Sequence, residues 1–200
     1  MKRNKRYRIM MRIITGKARG IRLDTLAGDN TRPTSERAKE AVFSMLQFDI
    51  EGRRVLDIYA GSGQMGLEAV SRGAQSATFI DSSKDAVSVI KRNIEKTRLS
   101  DCCRVLCAKA EDYIKAVSGR ECFDVVFIDP PYAERLVAPT LSALLEAKMI
   151  KTTSVIVCES EEADIFQKMP ELKNKFEILK TAKYGVAHVT VLTPKKETEL

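Results

Sequence analysis

An acidic residue, two prolines and an aromatic residue stand together at Asp129-Pro130-Pro131-Tyr132, directly after a very apolar segment. Successive prolines restrict the backbone, so these residues predict a stiff platform just beyond the end of a strand. If the Asp129 carboxylate and the Pro130 carbonyl accept the two hydrogens of an exocyclic amine on a nucleobase, the nitrogen lone pair turns towards an incoming methyl group. Tyr132 would stack on the extruded base. These residue types favour methylation of a nitrogen atom.

A second set of residues predicts a ligand that carries adenosine. Gly61, Gly63 and Gly66 have the G-x-G-x-x-G spacing, which lets backbone N–H groups and a helix N-terminus approach a ligand closely. Asp81 ends the next apolar segment, where a carboxylate accepts hydrogen bonds from ribose hydroxyls. The same spacing occurs in NAD enzymes, but Asp57 precedes the loop and would repel a pyrophosphate. A carboxylate there attracts the amino group and the sulfonium of S-adenosylmethionine, which is the favoured ligand.

Alternating strand and helix patterns position both sets of residues. The predicted strands are 53–58, 76–81, 103–107, 123–128 and 153–158, and the predicted helices are 64–72, 83–97, 110–118, 134–147 and 161–168. This alternation predicts an α/β fold with a mostly parallel, doubly wound sheet. The end of the chain predicts two more strands joined at Tyr184-Gly185, so that the sheet closes with an antiparallel pair.

The amino-terminal segment carries the excess positive charge of the chain. Residues 1–22 hold nine Lys or Arg and no acid, whereas the whole chain has a net charge of +7. Such a segment is typical of an arm that binds phosphates, although a solvated tail explains residues 1–8 equally well. Apolar residues on either side of residues 16–20 predict a β-hairpin. The expected organisation is a basic tail at 1–11, a hairpin appendage at 12–31 and a catalytic domain at 32–194.

Composition excludes several other classes of protein. The five cysteines form no C-x-x-C pair and His188 is the single histidine, so no metal site is expected. No apolar run reaches the roughly 18 residues that a membrane span needs. The basic amino terminus also lacks the apolar stretch of a signal peptide. A cytoplasmic protein is therefore expected.

Several motifs resemble those of a known family. DIYAGSGQMGLEA resembles motif I of the Rossmann-like S-adenosylmethionine methyltransferases, and DPPY resembles motif IV of the amino-methyltransferases. RIITGKARGIRL and TRPTSERAKEAVFSML closely resemble the amino-terminal signature of the bacterial RsmD family, and the resemblance extends from about Arg12 to Leu192. It implies a seven-stranded Rossmann-like fold with an antiparallel last strand. It also implies an enzyme that methylates N2 of one guanine in 16S ribosomal RNA, within a small-subunit particle. A monomer is expected because the sequence has no evident dimerisation helix.

The resemblance assigns roles to individual residues. The catalytic residues are expected to be Asp129, Pro130 and Tyr132. The cofactor is expected to contact Asp57, Ala60, Gly61, Ser62, Gly63, Gly66, Asp81, Ser82 and Asp129, with its adenine held by backbone groups near Lys109 and Ala110 or by Glu111 or Asp112. The RNA is expected to contact Arg12, Lys17, Arg19, Arg22, Arg32, Thr34, Pro131 and Tyr132. Three positions depart from the family pattern. Asp81 stands where glutamate is usual, Tyr59 where phenylalanine is usual, and Lys109 where an uncharged or acidic residue is usual.

Two other functions share some of these features. An adenine-N6 methyltransferase has both motifs but usually needs a separate target-recognition domain, for which 200 residues leave no room. An RNA-binding Rossmann domain without catalytic activity would not need both Asp129 and Tyr132. The sequence therefore favours the guanine-N2 methyltransferase.

Overall fold

A single seven-stranded sheet with helices on both faces forms the body of the computed structural model, which describes residues 11–26, 36–46, 50–131 and 135–196. The strands are β1 (Arg54–Ile58), β2 (Ser76–Asp81), β3 (Cys103–Cys107), β4 (Val125–Ile128), β5 (Val155–Ser160), β6 (Phe176–Tyr184) and β7 (Ala187–Pro194). The helices are α1 (Glu36–Met45), α2 (Gln64–Ser71), α3 (Lys84–Thr97), α4 (Ala110–Val117) and α5 (Val137–Glu146), with short 3₁₀ turns at Ser100–Cys102 and Pro170–Lys175. In the part of the chain described, no helix is long and apolar enough to cross a membrane.

The strand order β3-β2-β1-β4-β5-β7-β6 confirms the predicted fold class. Strands β1 to β5 are parallel to one another, and β7 runs antiparallel to both β5 and β6. The order reverses between β1 and β4, which are neighbours although two strands separate them in sequence. In open α/β sheets such a reversal opens a crevice at the carboxyl ends of the strands, where ligands bind. Both predicted ligand segments follow the strands that flank this crevice.

Apolar side chains pack against both faces of the sheet, as expected for parallel strands that read as continuous apolar runs. One core lies between the sheet and α1, α2 and α3, and in it the rings of Phe43 and Phe127 are 5.7 Å apart. The other lies beneath α4 and α5 and contains Tyr113, Phe123 and Leu141. The strand ends that carry the candidate residues are thus anchored from both faces.

The predicted hairpin is present, in a shorter form than two full strands. Arg12 and Arg22 form one antiparallel bridge. The Ile13 N–H donates to the Ile21 carbonyl at 3.0 Å, and turns occupy residues 16–20. The rest of the predicted appendage, at 27–31, lies outside the described residues.

The helix predicted at 161–168 is wrong, because the segment consists of bends and turns. Asp164 Oδ1 accepts a hydrogen bond from the Phe166 N–H at 3.0 Å. Such a local side-chain contact competes with helical hydrogen bonds. Phe166 is also buried and stacks on Phe176 with 6.0 Å between the ring centroids. Burial of this aromatic side chain fixes the segment against the core without a helix.

Candidate active site

Asp57 lies at the end of β1, beneath the glycine loop, and is 4% exposed. Its Oδ2 atom accepts a hydrogen bond from the Gly66 N–H at 2.9 Å. Burial raises the pKa of Asp57 to about 7, the Gly66 N–H acts in the opposite direction, and repulsion from Asp81 raises the pKa further. A buried carboxylate with this pKa gains from a cation placed beside it.

The glycine loop leaves room for a ligand on one side and packs tightly on the other. Gly61 has a φ of +54°, and a Cβ atom built there meets no atom within 4 Å. A Cβ on Gly66 would lie 2.4 Å from the ring of Phe79. The loop therefore needs glycine at 66 for packing and at 61 for its left-handed backbone. The open space above Gly61 is the feature expected of a cofactor cradle.

Asp81 holds the loop in place, which the sequence did not predict. Its two carboxylate oxygens accept hydrogen bonds from the N–H groups of Gly61 and Ser83, each at 2.8 Å. Ser82, which lies between Asp81 and Ser83 in the chain, is exposed. The Ala60 N–H donates to the Ile80 carbonyl at 2.9 Å. Each carboxylate oxygen has a further lone pair, so the predicted contact with ribose hydroxyls remains compatible with these bonds.

The residues predicted to hold adenine lie across β2 from the glycine loop. Lys109 is the exposed N-cap residue of α4, and Ala110 is 7% exposed. The Ala108 N–H donates to the Asp81 carbonyl at 3.0 Å, which ties this segment to the end of β2. The backbone near Lys109 is therefore close to Asp81, as a ligand that spans ribose and adenine requires.

Asp129 lies directly beyond β4, on the other side of the crevice from the glycine loop. Asp57 is paired in register with Phe127, so Asp129 stands two residues further along the neighbouring strand and on the same face of the sheet. Pro130 is buried and Pro131 is exposed, as a platform at the mouth of the crevice would be. Tyr132 lies outside the described residues.

The surroundings of Asp129 favour its protonated form. Asp129 is exposed as a residue, although many protein atoms lie around its carboxyl group. This loss of hydration raises the pKa of Asp129 well above its usual value, and repulsion from Glu159 and then from Asp57 adds to the effect. The ionised form of Asp129, which these surroundings disfavour, is stabilised by a positive charge beside it, so a cationic cofactor favours the carboxylate.

The basic residues of the hairpin form an exposed surface. Those predicted to contact RNA are all exposed, and they are Arg12, Lys17, Arg19 and Arg22. The other predicted contacts on this side, Arg32 and Thr34, lie outside the described residues. Four of the predicted RNA-contacting cations are thus exposed within the one hairpin.

A buried ion network docks the hairpin on α2. Glu68 has no exposed surface, and its oxygens accept hydrogen bonds from the N–H groups of Ile14 at 2.7 Å and Thr15 at 3.0 Å. The Lys39 ammonium lies 3.3 Å from Glu68 Oε2, and Arg72 Nε lies 2.9 Å from Oε1. The network joins the hairpin to the helix that begins at the glycine loop.

A second buried side chain, Asn93 on α3, ties the hairpin to the glycine loop. The side-chain amide of Asn93 on α3 donates to the Asp24 carbonyl at 3.0 Å and to the Ser62 carbonyl at 2.9 Å. Asn93 Oδ1 also accepts from the Asp24 N–H at 2.7 Å. Sequence reasoning missed Asn93 and Glu68, although a polar residue next to apolar ones on a helix face, as in Asn93-Ile94, was a usable signal.

The comparisons with known proteins agree with this geometry. A family model described as conserved hypothetical protein 95 matches residues 11–193. The chain is 35% identical over 153 residues to the ribosomal RNA small subunit methyltransferase D of Haemophilus influenzae, with 76% of this chain and 79% of that protein covered. The chain belongs to the RsmD family of methyltransferases.

A further relative and a solved structure are similar over most of the chain. The Escherichia coli ribosomal RNA small subunit methyltransferase D is 32% identical over 151 residues, which cover 76% of this chain and 75% of that protein. The solved structure of the E. coli yhhF protein has a TM-score of 0.81 and 28% identity, with 94% of this chain and 99% of that chain covered. The chain is therefore an S-adenosylmethionine-dependent methyltransferase with the Rossmann-like fold.

The described residues fit S-adenosylmethionine. The open side of the loop at Gly61 offers space, and the buried carboxylate of Asp57 suits a positively charged ligand rather than a phosphate. We propose that Asp57, the loop 60–66, Asp81, Ser82 and the backbone at 109–110 hold this cofactor. Among the described residues, no group of three or more His, Cys, Asp and Glu side chains is arranged to hold a metal ion.

The pKa of Asp57 makes cofactor affinity pH-dependent. With a pKa of about 7 in the free protein, Asp57 must lose a proton before it can stabilise a cationic ligand. Affinity for S-adenosylmethionine should therefore fall by roughly tenfold between pH 8 and pH 6 and level off above pH 8. Calorimetry in buffers of different ionisation enthalpy should detect proton release near pH 6.5. Asp57→Asn should bind weakly with a flat pH profile, and a wild-type profile that is flat as well would contradict this assignment.

Proposed function

We propose that this RsmD family member methylates the exocyclic N2 amine of one guanine in 16S ribosomal RNA. The observation that carries the proposal is the position of Asp57 and Asp129 on neighbouring strands at the reversal of the sheet, on one face. Asp57, which we propose holds the cofactor, therefore stands beside Asp129, which we propose holds the amine. Relatives named ribosomal RNA small subunit methyltransferase D support an RNA substrate, and the small-subunit particle and the monomeric state are parts of the same proposal.

The chain's own residues prepare the amine for reaction. When bound, S-adenosylmethionine supplies a methyl group activated by a positively charged sulfur. The Asp129 carboxylate and the Pro130 carbonyl accept the two N2 hydrogens, which turns the nitrogen lone pair out of the plane of the base. As positive charge grows on N2, Asp129 stabilises it and accepts the proton. Tyr132 and Pro131 hold the extruded base in line.

The hairpin supplies binding energy to RNA rather than chemistry. Its exposed cations belong to the segment that Glu68 holds on α2 and Asn93 ties to the glycine loop, so phosphate contacts there would position the RNA relative to the site. We propose the division expected from the sequence, with a basic tail at 1–11, the hairpin at 12–31 and the catalytic domain at 32–194.

Neutralising the hairpin should weaken RNA binding in a salt-dependent way. Lys17→Gln, Arg19→Gln and Arg22→Gln together remove three phosphate contacts, so the slope of log K against log salt should become less steep by about 2. Methylation at saturating RNA in a single turnover should stay near the wild-type rate. Lys115→Gln with Lys148→Gln, exposed lysines outside the hairpin, is the control. An unchanged slope in the hairpin variant would show that these residues do not meet phosphates.

One experiment tests the proposed reaction directly. The purified chain is incubated with isotope-labelled S-adenosylmethionine and either 16S RNA or small-subunit particles from cells lacking the gene, and the nucleosides are then analysed by mass spectrometry. N2-methylguanosine at one position is the expected product. N6-methyladenosine would favour the adenine methyltransferase, and RNA binding without any labelled nucleoside would favour the non-catalytic domain.

A further inference from the structure

Three acidic residues, Asp57, Asp129 and Glu159, form a row across the carboxyl edge of the sheet. The proposed mechanism uses Asp57 and Asp129 but not Glu159. Ile128 on β4 pairs in register with Cys158 on β5, so Glu159 stands beside Asp129 on the next strand. Side chains alternate along a strand, so Asp57, Asp129 and Glu159 lie on the same face. Across the sheet, Asp129 therefore lies between Asp57 on the cofactor side and Glu159 on the far side.

Glu159 faces an open depression next to the platform. The depression is open to solvent, and its lining includes Pro130, Pro131, Arg135 and Glu159. Glu159 is only 9% exposed, so its carboxylate is held among protein atoms rather than projecting into solvent. The register of β4 with β5 places Glu159 next to Asp129, and repulsion between the two groups contributes to the raised pKa of Asp129. A base whose amine is held at Asp129 and Pro130 and that extends away from Asp57 would enter this depression.

The chemistry of the bases decides what a second carboxylate here would recognise. Guanine carries an N1–H donor next to its N2 amine, so two carboxylates can bind adjacent donors on one edge. Adenine has an unprotonated N1, and cytosine an unprotonated N3, next to the amine. The lone pair of either atom would face the carboxylate without a hydrogen bond, which a polar site rejects strongly.

We propose that the Glu159 carboxylate accepts the N1–H of the target guanine and selects guanine over bases with an unprotonated ring nitrogen beside the amine. The proposal rests on the proposed function, since it assumes a guanine whose N2 amine is held at Asp129. Glu159 is then a specificity-determining residue. It exchanges no proton or methyl group.

The test compares guanine with 2-aminopurine, which keeps the 2-amine but has an unprotonated N1. Substrate RNA or particles carry either base at the position mapped by mass spectrometry, and methylation is followed in a single turnover. Wild-type protein should prefer guanine by about 100-fold. Glu159→Gln offers an amide N–H to the unprotonated N1, so its preference should fall by at least about tenfold. Glu177→Gln, on the exposed strand β6, is the control and should keep the wild-type preference.

The outcomes separate this proposal from the function on which it rests. A smaller preference of Glu159→Gln for guanine over 2-aminopurine, with unchanged affinity for S-adenosylmethionine, supports the role of Glu159. If Glu159→Gln loses the same factor in methylation rate on guanine and on 2-aminopurine, it keeps the wild-type preference and the proposal is overturned, because a purely structural role lowers both rates together. If the wild-type protein methylates no guanine N2 in the mapping experiment, the proposed function itself fails before this comparison begins.

Discussion

Replacing Asp129 by alanine is expected to slow methyl transfer by about 10²–10⁴-fold while affinity for S-adenosylmethionine changes little. The expected loss reflects two roles of one carboxylate, which holds the amine and stabilises the charge that develops on it. Asp129 also borders the cofactor side, but Asp57 and the residues around Gly61 supply most of the cofactor cradle. Calorimetry with the cofactor and single-turnover methylation of RNA measure the two quantities separately.

A second variant separates the two roles of Asp129. Asn keeps one acceptor oxygen for the amine but cannot take its proton, so Asp129→Asn should retain more activity than alanine if amine orientation dominates. If Asp129→Asn and Asp129→Ala lose the same factor in methylation rate, stabilisation of charge and acceptance of the proton matter more than orientation of the amine. Asp101→Ala, an exposed acid before β3, serves as the matched control and should leave both measurements unchanged. Methylation by Asp129→Ala at the wild-type rate would show that the mechanism proposed for the DPPY platform is wrong.

The strand ends that carry the site could be predicted because burial leaves a direct trace in the sequence. Parallel strands covered on both faces read as short apolar runs, and the end of each run marks where a polar residue meets the crevice. Asp57, Asp81 and Asp129 each follow or end such a run, so their shared edge was predictable. Gly66 was predictable too, although its reason is packing against Phe79 rather than a ligand contact.

The remaining features depend on which elements are neighbours, and sequence periodicity does not contain that information. The place of Glu159 beside Asp129 follows from the pairing of β4 with β5. The role of Asp81 in holding Gly61 depends on how the loop folds back over β2. The turns at 161–168 show the same limit, because the burial of Phe166 against Phe176 outweighs a local helical pattern.

Removing the Glu68 carboxylate is expected to destabilise the protein by about 3–5 kcal/mol, because Glu68→Ala breaks its ion pair with the buried Lys39 ammonium. Both side chains are almost fully buried, at 0% and 1% exposure. The variant also removes the acceptor of the Ile14 and Thr15 N–H groups. Urea unfolding measures the free energy of unfolding, and Glu95→Ala on the exposed face of α3 should change it by less than about 0.5 kcal/mol.

A double variant and amide exchange test whether this loss belongs to the buried network. Lys39→Met combined with Glu68→Ala removes both charges, so it should recover part of the stability lost in the single variant. Recovery should be incomplete, because the Lys39 ammonium also donates to the Arg12 carbonyl at 2.6 Å and Ile14 and Thr15 still lack their acceptor. In Glu68→Ala, the Ile14 and Thr15 amides should lose protection while those of β4 keep it, since the hairpin loosens before the sheet opens. A stability change below about 1 kcal/mol with both hairpin amides still protected would show that Glu68 does not hold the hairpin on α2.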